Sequence, residues 1–160
     1  LEVDILPSGN IALPKGYEKY VDYLIVSVHR VFDLNLKEMT NRVISALQYP
    51  KVKILGHPTG RLLTKREGFE LDWEKIYSLC RQNNIALEIN AWPLRLDLPD
   101  ILVREAIKNK VKLIVNTDAH SVDQMDLMLY GVAVARRGWA KKSDIINTMA
   151  YQEVKNWLTG

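Results

Sequence analysis

The chain has 160 residues, 48% hydrophobic and 26% charged, with a formal net charge of +3. That balance predicts a globular domain with a real core and excludes a disordered tail; the scattered basic residues give charge alone little weight toward a nucleic-acid partner. One cysteine excludes an internal disulfide, and no apolar run approaches the ~18 residues of a transmembrane helix, so a soluble protein of the reducing cytoplasm is expected, with no membrane partner.

Leu1-Glu2-Val3-Asp4 opens on an apparent strand without an initiator methionine and reads as a piece of something longer. After a turn at Pro7-Ser8-Gly9-Asn10, the run Tyr23 to Val28 predicts a strand buried on both faces. A helix follows from about Asn35 to Tyr49, opened by the capping pair Asn35 and Glu38, with Leu36, Met39, Val43, Ile44 and Leu47 on one face. Val52 to Gly56 is strand, and a Gly/Pro-rich loop runs from His57 to about Leu71. Asp72 caps a helix to about Asn83, on which Trp73, Ile76, Tyr77 and Cys80 recur at core spacing. Ile85 to Asn90 is strand, Asp97 and Pro99 open a helix to Asn109, and Val111 to Asn116 is strand. Ser121 and Gln124 read as another capping pair, before a helix toward Arg136; Ser143 to Leu158 reads as a short element and a closing helix. Strands alternating with helices predict a mainly parallel sheet with working residues at the carboxyl ends of its strands. About five strands are countable, fewer than a closed eight-stranded barrel needs, so either most of a barrel or an open doubly wound sheet fits.

All three histidines follow apolar runs, at His29, His57 and His120. With Glu2, Glu88 and Asp118 they form a ladder, Glu2, His29, His57, Glu88, Asp118, whose steps are 27, 28, 31 and 30 residues. A strand, a helix and two loops take roughly 30 residues, so a polar residue returning at that interval predicts one shared site. Histidine and carboxylate together suit a metal. In Asp118-Ala119-His120, strand alternation predicts both side chains on one side. Glu88 and Asn90 share a face likewise, but a glutamate inside a barrel often partners an arginine, and Glu88 is left outside the ligand set. In Gly56-His57-Pro58-Thr59-Gly60-Arg61 the glycines allow close approach and Arg61 offers a planar fork for phosphate oxygens, weighed evenly against a surface arginine in a turn. Arg95 is a similar, weaker candidate, and Trp92 either stacks on a base or fills its loop. Arg136, Arg137, Lys141 and Lys142 fit a nucleic-acid backbone or a helix carboxyl end equally well. Walker, dinucleotide, G-x-S-x-G and C-x-x-C motifs are absent.

Glu2-Val3-Asp4-Ile5-Leu6, Ser27-Val28-His29, Gly56-His57-Pro58-Thr59-Gly60-Arg61-Leu62-Leu63, Leu87-Glu88-Ile89-Asn90-Ala91, Asn116-Thr117-Asp118-Ala119-His120 and Ala135-Arg136-Arg137-Gly138-Trp139 resemble the PHP (polymerase and histidinol phosphatase) domain. The version resembled is that at the carboxyl end of bacterial and archaeal family X DNA polymerases, over Leu1 to about Leu158. The resemblance implies an α/β fold, a distorted seven-stranded TIM-like barrel of mainly parallel strands, of which residues 1–160 are a carboxyl-terminal portion without an internal boundary. It implies up to three manganese or zinc ions in the complete domain, ligated here by Glu2, His29, His57, Asp118 and His120, with Glu2 bridging two ions and Arg61 on a neighbouring phosphate. It implies DNA phosphoester hydrolysis, a 3′-5′ exonuclease or end-processing activity in repair, with no side chain assigned as catalytic. A stand-alone phosphatase of a small phosphate ester and a non-catalytic scaffold for a polymerase are the alternatives. The family's opening H-x-D-x-H or H-x-H strand is not in these residues, so fewer ions are expected here. The expected partners are DNA through the parent polymerase, the amino-terminal part of the same domain and, through an open sheet edge, a second copy of the chain.

Overall fold

A computed structural model describes residues 1–160. Five strands, β1 (Glu2–Asp4), β2 (Leu24–Ser27), β3 (Val52–Leu55), β4 (Ala86–Asn90) and β5 (Leu113–Asn116), form one sheet in sequence order, every pair parallel. Five α-helices connect or follow them: α1 (Leu36–Leu47), α2 (Trp73–Asn83), α3 (Asp100–Lys108), α4 (Met128–Arg137) and α5 (Tyr151–Thr159). An order of 1-2-3-4-5 is the winding of a barrel wall rather than of a doubly wound sheet, whose order reverses at a switch point. The chain supplies the five strands counted in its sequence, as a partial TIM-like fold does; the seven of the complete barrel are not among its residues.

The local signals explain most boundaries. Asn35 and Glu38 make the reciprocal capping box of α1, and the Asp72 side chain accepts from the Lys75 N–H to start α2. Pro99, at the cap of α3, holds extended backbone and lends no side-chain bond, whereas Asp97 is buried and serves another loop. The Ser121/Gln124 pair differs from expectation. Residues 122–127 form a 3-10 turn, Ser121 makes no side-chain cap, and the Gln124 side chain accepts from the His120 N–H at 2.6 Å instead.

The two faces of the sheet bury different things. One packs Val3, Val26, Leu55, Leu87, Ile89, Leu113 and Val115 against apolar faces of α1 to α4, each such side chain contributing roughly 1.5–3 kcal/mol of transfer free energy. Contact there is close: a Cβ at Gly131 of α4 would lie 2.5 Å from Val115 and 2.9 Å from Ala91. On the other face Ile54, Ala86 and Ile114 cluster with Ile25, and Val154, Trp157 and Leu158 of α5 pack across them. Further along the same face toward the strands' carboxyl ends, the side chains turn polar: Glu88, Asn90 and Asn116. Asn147 covers part of the β5 edge, its amide accepting from the Val115 N–H and donating to the Val115 carbonyl at 2.7 and 2.9 Å.

The Arg136-Arg137-Gly138-Trp139 string closes α4 onto α3. Arg137 pairs with Asp100 at 3.0 Å, a Cβ at Gly138 would run into Val103, and the Arg104 guanidinium lies 3.5 Å over the Trp139 ring. These contacts give the string a packing role between helices. No helix is long and apolar enough to cross a membrane.

Candidate metal centre

Three of the ladder residues meet. Glu2 on β1, His29 just past β2 and His57 just past β3 each offer a ligand atom, all within 4.8 Å of one another. Parallel register explains it: Glu2 pairs with Ile25 and Asp4 with Ser27, so adjacent strands end in step and their terminal side chains converge. Glu2 Oε1 stands 3.4 Å from His57 Nε2 and 3.7 Å from His29 Nε2. The first lies at the long end of hydrogen-bonding range and the second beyond it, and both match the spacing of atoms grouped about one ion at ~2.0–2.2 Å. A carboxylate with two imidazoles is also a donor set that manganese or zinc accepts, so these residues fit the implied group.

Neighbouring side chains set the state of the triad. The Ser27 hydroxyl donates to Glu2 Oε1 at 2.7 Å. Hydrogen bonding to His57, then to Ser27, holds the Glu2 carboxyl down at about 2 against the opposing effect of its partial burial. Burial, followed by repulsion from His57, pushes the His29 imidazole down toward its neutral, ligating form. His29 is further fixed by its N–H donating to Asp4 Oδ1 at 3.1 Å, and Asp4 pairs with Arg30 at 3.2 Å. His57 is buried, and its Nδ1 has no hydrogen-bond partner.

Two buried carboxylates hold the backbone that presents His57. Glu88 accepts from the His57 N–H at 2.7 Å, from Asn116 at 2.8 Å and from Asn90 at 3.2 Å. Burial pushes its pKa up while these donors oppose the rise, and its bonds brace the turn at His57. Asp97, fully buried and likewise raised by burial, accepts from the Thr59 N–H at 3.0 Å.

Asp118 and His120 stand outside the triad. β5 ends at Asn116, and Asp118 takes a φ of +54°, so the extended alternation expected to point both side chains together does not reach them. Asp118 Oδ2 accepts from Asn90 at 3.2 Å and lies 3.5 Å from Arg95 Nε. His120 Nδ1 lies 2.8 Å from the Asp118 carbonyl oxygen. Of the two arginines read as phosphate contacts, Arg61 donates from Nε to the Arg95 carbonyl at 2.8 Å and from Nη2 to the Leu96 carbonyl, stitching two loops together. Arg95 faces Asp118 and keeps a buried Nη1 with no partner.

Sequence reasoning passed over Asp4 and Ser27 as site groups, as well as Asn116 and Arg42. A signal for the first three exists: four of the five strands carry polar residues two apart on or just past them, in Glu2/Asp4, Ser27/His29, Glu88/Asn90 and Asn116/Asp118. Arg42 gave none, since a helical arginine reads as solvated.

A partial TIM-like wall with a Glu/His cluster at its mouth can be set beside known proteins of similar sequence. The chain is 37% identical over 158 residues to the DNA polymerase/3'-5' exonuclease PolX of Bacillus subtilis (strain 168), a match covering 99% of this chain and 28% of that protein. Probable phosphatases of Clostridium acetobutylicum and Thermoanaerobacter sp. (strain X514) are 29% and 28% identical over 128 and 130 residues, 74% and 75% of this chain and 50% and 51% of those proteins. No family model matches the chain. The chain thus spans a little over a quarter of the polymerase and about half of the phosphatases it matches. It resembles the PHP domains, in the version that accompanies family X DNA polymerases, over nearly its whole length.

Proposed function

We propose that this chain carries part of a metal-dependent phosphoesterase centre that hydrolyses DNA phosphoesters as a 3′-5′ exonuclease or end-processing activity of a family X polymerase. The observation that supports it most is the convergence of Glu2, on the short strand β1, with His29 and His57, just past the carboxyl ends of the next two parallel strands. That is where barrel enzymes assemble their sites. In this reading Glu2, His29, His57, Asp118 and His120 hold manganese or zinc. The bound metal supplies Lewis-acid polarisation of a phosphate and activation of water. Ser27 orients the Glu2 carboxylate, and Asp4 orients His29 through its N–H. Glu88 and Asp97 fix the turn that presents His57. Arg61 contacts a phosphate oxygen through the nitrogen its loop bonds leave over, and Arg95, beside Asp118, is the weaker candidate for a second contact. The rest of a longer polymerase supplies the grip on DNA and further ligands, in a cytoplasmic repair setting.

The test is elemental analysis after manganese or zinc loading and desalting, followed by hydrolysis of a 3′-labelled oligonucleotide. Stoichiometric metal lost on His57→Ala is the expected result for the chain, and release of nucleotides from the 3′ end is expected once the longer polymerase completes the centre; a chain that retains no metal overturns it. The matching probable phosphatases favour a second reading, a small phosphate ester as substrate. Turnover of p-nitrophenyl phosphate without release from DNA selects that one.

A further inference from the structure

α1 carries a cation that the reading above does not use. Arg42 is 3% exposed, on a helix face shared with Met39, Val43 and Ala46. Its guanidinium meets no carboxylate. Instead Nε donates to the Leu6 carbonyl at 3.0 Å, Nη2 to the Ile5 carbonyl, and Nη1 to the carbonyls of Arg30 and Val31 at 3.1 and 2.8 Å. Those acceptors fall in two groups. Ile5 and Leu6 follow β1, which carries Glu2 and Asp4; Arg30 and Val31 follow His29 directly. Val31 takes a φ of +56°, uncommon for a β-branched residue, so the chain turns sharply right after the ligand and is held there by the arginine. The rigid fork of a guanidinium spans four acceptors, which an ammonium cannot do.

We infer that Arg42 is a positioning residue for the metal-ligating cluster: it ties the loop behind Glu2 and Asp4 to the loop behind His29, and so sets the spacing of the two ligands. This rests on the reading of Glu2, His29 and His57 as ligands. Outer-shell partners of metal ligands typically govern ~10–100-fold in affinity. A buried arginine satisfied only by carbonyls also stabilises the fold, so the experiment has to separate the two roles.

The whole chain is prepared as wild type, Arg42→Met, Arg42→Lys and, as a control in α2 away from the site, Ile76→Val. Amide hydrogen exchange is measured on the metal-free proteins, and manganese and cobalt are titrated into each. The expected result is loss of protection at the His29 N–H in both Arg42 variants, while β4 and β5 amides keep theirs as in the control. Metal affinity falls at least ten-fold in Arg42→Met with an altered cobalt absorption spectrum, and Arg42→Lys recovers part of it. Unchanged exchange at His29, or a cobalt spectrum and affinity equal to those of the control, overturns the inference. If Arg42→Met does not fold, Arg42→Lys decides by the same readings. A wild type that binds no metal sinks the ligand reading, and the exchange at His29 then judges the positioning role alone.

Discussion

The two flanks of the polar mouth are built to different degrees of readiness. On the β1–β3 flank, Glu2, His29 and His57 already face one another, with Ser27, Asp4 and Glu88 holding them in place. Across the mouth, Asp118 is engaged by Asn90 and Arg95, and His120 Nδ1 lies against the Asp118 carbonyl. The difference does not lie in distance along the strand. His29, His57 and Asp118 each stand two residues past their strands, and His57 and Asp118 both take a positive φ. It lies in what holds each candidate ligand: the Glu88 carboxylate accepts from the His57 N–H and Asp4 from the His29 N–H, which fixes the backbone and leaves both imidazoles free to face Glu2, whereas the Asp118 carboxylate is itself engaged by Asn90 and Arg95 and His120 lies four residues past β5. A bond to the backbone fixes where a side chain starts, whereas a bond to its polar end decides where it points.

The largest effect this comparison predicts is on metal retention. His57→Ala should lower affinity by more than the ~10–100-fold that an outer-shell change costs, whereas Asp118→Asn should cost about ten-fold or less. Both are read by elemental analysis of the loaded, desalted protein. Equal losses would break the contrast and show that the β5 flank closes on the ion as firmly as the other.

How far the sequence led follows the same division. The near-30-residue ladder identified Glu2, His29 and His57 because one βα unit repeats per step, and the parallel sheet, the capping box at Asn35 and the cap at Asp72 were legible from local pattern. Asp118 was placed by assuming that the strand ran on, which its positive φ refutes. Glu88 was read as the partner of an arginine inside the sheet, but its partners are the His57 N–H, Asn90 and Asn116, and the first of these is a long-range contact that no local signal marks. Arg42 and the loop-stitching geometry of Arg61 were hidden for the same reason: their acceptors are carbonyls, which carry no sequence identity.

Next in size are effects on stability. Glu88→Ala strands the His57 N–H and the Asn116 amide in a buried setting, and a loss of about 3 kcal/mol is expected. Gly131→Ala forces a methyl against Val115 and Ala91 where β5 meets α4, at about 1–3 kcal/mol. Thermal or urea melts measure both. Only the first should also perturb the metal-binding flank, and metal affinity preserved in Glu88→Ala would show that His57 needs no brace. For the opposite flank, Arg95→Met should raise KM for bis-p-nitrophenyl phosphate several-fold in the loaded protein and Arg61→Met less, because two Arg61 donors are spent on loop carbonyls.

The smallest effect is a pair of opposed pH dependences in the metal-free chain. Glu2 has a folded pKa of about 2 against an ordinary 4.5, so its contribution to stability is complete above that ordinary value and is lost as pH falls toward 2. Glu2→Gln should therefore flatten the acid slope of the melting temperature. The side chain is 43% exposed, so solvent screening keeps the change small. Glu88 is shifted the other way by burial, so the folded state binds its proton more readily than the unfolded one, and its ionisation costs stability as pH rises through the window above 4.5. Glu88→Gln should remove a slope of the opposite sign. Melting curves of the two variants against wild type from about pH 2.5 to pH 7 separate them. Slopes of the same sign would mean that the three donors around Glu88 outweigh its burial, and that the carboxylate at the centre of the mouth is as well solvated by the protein as the one at its rim.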